Sequence, residues 1–192
     1  MTEEQRQEAT VNLNWFINYI LTKRISGQNQ TLHHIYIELI RQLGQKDSVS
    51  KTIHFAYQIF CRCMLIDEEE FNKVANKVSG TVQQSSAIKQ YLVTLGTFLG
   101  SLTLAKNRPI HSKELDLKQL LLQGYQHESR RCIIAFVCRI MKEANKSLIF
   151  NKVSNPWVCG ILQVLREMYA DPTVINHQDD IKMEIESLFK AL

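Results

Sequence analysis

LGTFLGSLTLAKNRPI, residues 95–110, is the stretch that says most about the fold. Gly96 and Gly100 are four residues apart, so a helix places both on one face, although each costs roughly 1 kcal/mol of helix propensity relative to alanine. Two glycines on one face indicate a close crossing with another helix. The basic turn Lys106–Arg108 and the proline after it then predict the helix end, because cations suit the negative end of the helix dipole. The plainest interpretation is that the glycines serve packing and the cations solubility.

Apolar residues recur at three- and four-residue intervals along the chain, and the alternation typical of strands is almost absent. The pattern predicts eight or nine amphipathic helices, the longest from about residue 81 to Lys106 and another after the acidic run at 67–70. Asp116 and Asn155 are predicted to cap the N-termini of two helices, with Pro156 at the first helical position of the second. Such helices bury their apolar faces best as stacked antiparallel pairs, and no fixed-period repeat is visible. We therefore predict an all-α, irregular helical solenoid forming one domain over residues 1–192.

The charge and the cysteines restrict the class of protein. The chain has 23 basic and 19 acidic residues, and its net charge of +4 is too small for a dedicated nucleic-acid binder with a basic stripe. The five cysteines lack zinc-site or disulfide-framework spacing, which favours a reducing compartment. The N-terminus does not resemble a signal peptide, and the longest strongly apolar run, 132–138, is far below the roughly 18 residues of a membrane span. We expect a cytoplasmic or nuclear protein.

Motifs for catalysis or cofactor binding are missing: there is no Walker, GxGxxG, HExxH or GxSxG pattern. His111 and Glu114 are the nearest approach to an acid–base pair, but a loop offers neither an orienting group nor a pocket. Four carboxylates of the last helix scatter around it and are interpreted as a solvated face rather than a cation site. These are Asp179, Asp180, Glu184 and Glu186. We expect no enzyme, metal or cofactor.

The first helix has a second stripe, formed by Val11, Trp15 and Tyr19, beside its main apolar face. Large aromatic side chains are mostly core residues, so burial against a neighbouring helix is the favoured interpretation. The alternative is the edge of a groove for a partner.

Four segments together resemble the MIF-four-G domain of the Not-one scaffold subunit of the CCR4-NOT deadenylase complex. They are LGTFLGSLTLAKNRPI, LDLKQLLLQGY, NPWVCGILQVLREMY and IKMEIESLF. Trp15, the run Lys23–Ser26 and residues 32–39 are similar to that family too. Between residues 44 and 87 only the helical pattern matches.

The resemblance implies a HEAT-like solenoid without catalytic activity, excised from a far larger scaffold whose remainder binds other CCR4-NOT subunits. It implies that the domain holds the DEDD-type exonuclease (Caf/Pop type) that shortens poly(A) tails, and through it the leucine-rich-repeat deadenylase. It also implies that another surface binds a DEAD-box RNA helicase of the Dhh type. That contact would couple deadenylation to translational repression and decapping.

We place the partner contacts on exposed positions of the matching segments, since tryptophan and arginine are enriched in binding hot spots. The candidate residues are Lys106, Asn107, Arg108, Lys23, Arg24, Trp15 and Trp157. For Trp157, core burial is the favoured interpretation. Three alternatives stay open. The chain could be a MIF-four-G scaffold of translation initiation or nonsense-mediated decay that binds only a DEAD-box helicase. It could instead bind RNA directly through its basic residues, or be an enzyme that depends on His111.

Overall fold

The computed structural model describes residues 3–25, 30–43, 48–65, 84–125, 130–172 and 179–192, and every regular element in these ranges is helical. The all-α prediction is confirmed, whereas the HEAT-like detail stays a prediction. Eight α-helices lie in the described ranges: α1 Glu3–Tyr19, α2 His33–Gln42, α3 Ser48–Leu65, α4 Gln84–Leu102, α5 Leu117–Gly124, α6 Arg130–Lys142, α7 Pro156–Ala170 and α8 Asp179–Ala191. The helix predicted after the acidic run at 67–70 lies outside the described residues.

Short turns of other helix types extend this framework. A π-helical turn, Ile20–Arg24, follows α1, and a 3-10 turn, Gln30–Leu32, precedes α2. Two further 3-10 turns, Leu104–Lys106 and Glu143–Lys146, follow α4 and α6. The first of these turns leads into the α4–α5 loop and the second into the α6–α7 loop.

The predicted close crossing is the contact between α4 and α6, the most extensive helix–helix contact among the described elements. A Cβ atom added at Gly96 would lie 2.7 Å from the carbonyl oxygen of Phe136, and one at Gly100 would lie 2.5 Å from that of Ile140. The glycines therefore allow the two backbones to touch. Leu95 and Leu99 of α4 are fully buried beside this contact.

Both predicted helix caps are present. The Asp116 side chain accepts a hydrogen bond of 3.0 Å from the Gln119 backbone N–H, and the Asn155 side chain accepts one of 3.1 Å from Val158 N–H. Pro156 occupies the first turn of α7, as predicted. The end of α4 differs from the prediction. Its α-helix stops at Leu102, because Thr103 leaves the helical conformation and the 3-10 turn carries the chain to Lys106.

The solvated face predicted for the last helix is wrong at three of its four carboxylates. Asp180, Glu184 and Glu186 each contact a side chain of another helix at 3.1 Å or less. The partners are Lys89 for Asp180, Arg139 for Glu184 and Tyr169 for Glu186. The carboxylates therefore attach α8 to the body of the domain.

The described ranges contain neither a membrane-spanning helix nor a metal-binding cluster. None of their helices has the length and hydropathy needed to cross a membrane. Within the same ranges, no cluster of three or more histidine, cysteine or acidic side chains is arranged to hold a metal ion.

Candidate partner-binding surfaces

Asn107, one of the candidate contact residues, connects two loops. It sits in the left-handed region with φ of 58°, a conformation that asparagine tolerates better than most residues. Its side-chain oxygen accepts hydrogen bonds from Ser147 Oγ at 2.8 Å, Leu148 N–H at 3.0 Å and Ile149 N–H at 3.3 Å. These hydrogen bonds hold the α6–α7 loop in place. We therefore expect Asn107 to contribute to partner binding by positioning this loop.

The α6–α7 loop presents large apolar side chains to solvent. Leu148 is 86% exposed, Ile149 55% and Val153 85%. The loop is held by its own turns, because the Asn151 side-chain oxygen accepts hydrogen bonds from the N–H groups of Val153 and Ser154. Sequence analysis missed these residues. The available signal was a group of large apolar residues in a segment rich in turn-forming residues, SLIFNKVSN.

We call Lys106, Arg108, Leu148, Ile149 and Val153 together the loop surface. Lys106 and Arg108 flank the asparagine that binds the neighbouring loop, and both are exposed. Neither forms an ion pair within the described ranges. An exposed apolar group bordered by cations is typical of an interaction site rather than of an ordinary solvated surface.

Trp157 packs against the α6–α7 loop from the core side. It is partly buried against the core, and its ring meets that of Phe150 edge to face with 5.9 Å between the centroids. Phe150 is itself buried, in the middle of the α6–α7 loop. The packing agrees with the interpretation of Trp157 as mainly a core residue.

The favoured burial of the Val11–Trp15–Tyr19 stripe is wrong at Val11 and Trp15, whereas Tyr19 is half-buried. Val11 is 65% exposed and Trp15 64% exposed, because the core face of α1 is the neighbouring stripe that contains Leu13 and Ile17. The Trp15 and Tyr19 rings stack on each other, with centroids 5.4 Å apart and an interplanar angle of 12°. The stripe is thus a surface feature.

The π-helical turn adds a cation to this stack. Its hydrogen bond from Ile25 N–H to Ile20 O, at 3.0 Å, spans five residues, so side chains five apart lie on the same side. Arg24, five residues after Tyr19, lies with its guanidinium carbon 5.3 Å from the Tyr19 ring centroid. We call Trp15, Tyr19 and Arg24 the aromatic platform. Lys23 is exposed next to it.

His111 and Glu114, the pair weighed for catalysis, lie in the loop before α5. The described contacts between His111 and Glu114 are backbone ones, with Glu114 N–H donating to His111 O at 2.8 Å. A cleft of about 260 Å³ lies next to this loop and is lined by Tyr57, Glu114 and Asp116 among others. His111 is not one of its lining residues.

Comparison with known proteins gives a family. A family model described as the CCR4-NOT transcription complex subunit 1 CAF1-binding domain matches residues 3–192. A "General negative regulator of transcription subunit 1" from Schizosaccharomyces pombe is 33% identical over 94% of this chain, and one from Saccharomyces cerevisiae is 27% identical over 98%. The "CCR4-NOT transcription complex subunit let-711" from Caenorhabditis elegans is 29% identical over 93%.

The chain spans only 8% of the length of the two yeast relatives and 6% of the nematode one. The assignment to the Not-one scaffold, made from sequence motifs, is confirmed. The MIF-four-G type and the single-domain organisation stay predictions. The chain belongs to the family of CAF1-binding domains of CCR4-NOT transcription complex subunit 1.

Proposed function

We propose that this chain is a non-catalytic scaffold domain that docks a DEDD-type deadenylase of the Caf/Pop type, and through it the leucine-rich-repeat deadenylase. The observation that carries the proposal is the match, over residues 3–192, to a family described by its binding of CAF1. The rest of the scaffold would bind the other CCR4-NOT subunits. Its work belongs in the cytoplasm, including P-bodies, and in the nucleus.

The loop surface is the contact site we propose for the deadenylase. Its apolar members lose exposed area when a partner covers them, which is worth about 25 cal/mol per Å² of apolar surface. Asn107 and Asn151 hold the backbone of the loop in one conformation through the hydrogen bonds described above. A rigid loop loses little conformational entropy on binding, so more of the contact energy becomes affinity.

A second partner of the same scaffold is a Dhh-type DEAD-box RNA helicase, whose binding would couple poly(A) shortening to translational repression and decapping. In support, a separate apolar stripe lies exposed along α2 and the turn before it. Its members are Leu32, Ile35, Leu39 and Leu43. A scaffold of translation initiation or nonsense-mediated decay would bind the helicase but not the deadenylase.

Isothermal titration calorimetry with a purified DEDD-type deadenylase tests the main proposal. We expect a sub-micromolar Kd, which corresponds to about 8 kcal/mol or more. Lys106→Glu with Arg108→Glu should weaken binding at least about tenfold, and Leu148→Ser with Val153→Ser should do the same. Loss of a hot-spot side chain costs about 2 kcal/mol or more, and about 1.4 kcal/mol corresponds to tenfold.

The matched control is Arg166→Glu with Lys182→Glu, a pair of exposed cations on α7 and α8. This pair should leave the Kd unchanged, and circular dichroism should show that all variants are folded. If both loop-surface variants bind like the control, the deadenylase contacts another face. If the unmodified chain binds a Dhh-type helicase and not the deadenylase, the scaffold belongs to the alternative class.

A further inference from the structure

We propose that the aromatic platform binds single-stranded RNA by base stacking. Tyr19 lies against the Trp15 ring and Arg24 lies over the Tyr19 ring, so the stack is ordered before any ligand arrives. With Trp15 64% exposed, most of its indole is open to solvent. An ordered aromatic ring open to solvent is the element on which single-stranded nucleic acids stack their bases.

The charge at the C-terminal end of the platform is positive, whereas the acidic residues of α1, Glu3, Glu4 and Glu8, all lie in its first two turns. Residues 9–25 contain no acidic residue, and α3, which packs against α1, contains none either. Lys23 and Arg24 are the cations next to the stack. A phosphate backbone that runs from Trp15 toward Arg24 therefore meets positive charge.

The polar groups near the stack favour RNA over a protein partner. Exposed amides of Asn12 and Asn18 lie on the same helix as Trp15, and amides pair readily with the edges of unstacked bases. Val11 is the other large apolar side chain exposed on the described part of α1. An α-helical protein interface ordinarily offers a wider apolar stripe than this.

RNA binding at the platform is separate from the docking of the deadenylase at the loop surface. If the deadenylase also docks as proposed, the platform would keep the RNA close to the bound nuclease, a consequence that rests on the proposed function. The RNA experiments below contain no protein partner, so their failure and the failure of deadenylase docking are distinguishable.

Tryptophan fluorescence reports the contact directly, because the chain has two tryptophans. In the Trp157→Phe variant, Trp15 is the single emitter, and titration with a single-stranded adenylate or uridylate 12-mer should quench it. In the Trp15→Phe variant, the emission of Trp157 should not change. An unquenched Trp15 at RNA concentrations that saturate binding would overturn the proposal.

Anisotropy of the same labelled 12-mers measures affinity. Trp15→Ala should weaken binding by about tenfold or more, since stacking contributes roughly five- to 150-fold per base. Lys23→Gln with Arg24→Gln should reduce the salt dependence, the slope of log K against log [salt], by about 1.4, which is the loss of two phosphate contacts. Arg166→Gln with Lys182→Gln is the control and should change neither.

Two further results would contradict the proposal. The first is equal RNA affinity for Trp15→Ala and the unmodified chain, with circular dichroism showing both folded. The second is a loss of deadenylase or helicase binding in Trp15→Ala without a loss of RNA binding, which would make the platform a protein contact.

Discussion

Gly100→Ala tests the closest contact in the fold. The added Cβ would lie 2.5 Å from Ile140 O and 2.8 Å from both Cβ and Cγ of Glu143. Ile140 O belongs to the backbone of α6 and cannot rotate away. To reach an ordinary separation of 3.4 Å, the two helices must move apart by about 0.9 Å at this point.

The expected change in stability is the sum of two opposing effects. Alanine raises helix propensity by about 1 kcal/mol relative to glycine. Overpacking a tight interior contact costs typically about 1–3 kcal/mol. The shift also disturbs Glu143, whose carboxylate accepts hydrogen bonds from Ser101 at 2.8 Å and Lys146 at 2.7 Å. The two effects leave a net destabilisation of about 0–2 kcal/mol. Because the disturbance of Glu143 adds to it, we expect about 1–2 kcal/mol.

Urea denaturation followed by circular dichroism measures this free energy of unfolding. The matched control is Gly160→Ala in α7, where an added Cβ meets no atom within 4 Å. There we expect a stabilisation of up to about 1 kcal/mol from propensity alone. The reasoning is refuted if Gly100→Ala stabilises the chain as Gly160→Ala does.

Two further predictions concern single side chains. Asn107→Ala should destabilise by about 2–3 kcal/mol, because it removes an acceptor of three hydrogen bonds and places alanine at φ of 58°. In thermal unfolding, Asn107→Gly should lose less, and an equal loss would show that the backbone conformation is unimportant. Burial lowers the pKa of His33, whose Nε2 has no hydrogen-bond partner among the residues that the structure describes. Stability should therefore be complete above the unfolded pKa of about 6.5 and fall as the pH drops below it. His33→Phe should have a weaker dependence between pH 7.5 and 5.5 in urea titrations, and an unchanged dependence would assign the effect to other groups.

Local patterns in the sequence determined much of the fold. A cap depends on a side chain and an N–H group three residues later, so Asp116 and Asn155 could be identified without tertiary information. The spacing of Gly96 and Gly100 likewise predicted a close helix crossing, because residues four apart share a helix face. The family was also recognisable, since its motifs are contiguous segments. The partner for the glycine face was not predictable, because α6 is some 40 residues further along the chain.

The surfaces were decided by tertiary structure. An apolar stripe has the same sequence pattern whether or not another helix covers it. Trp15 is exposed because a different face of α1 packs against the core. Asp180 and Lys89 are 91 residues apart, and Arg139 and Glu184 are 45 apart, so no local pattern relates these charges. Asn107 reaches a loop about 40 residues away. Sequence periodicity reports which residues share a face, whereas burial and pairing depend on distant segments that only the folded chain brings together.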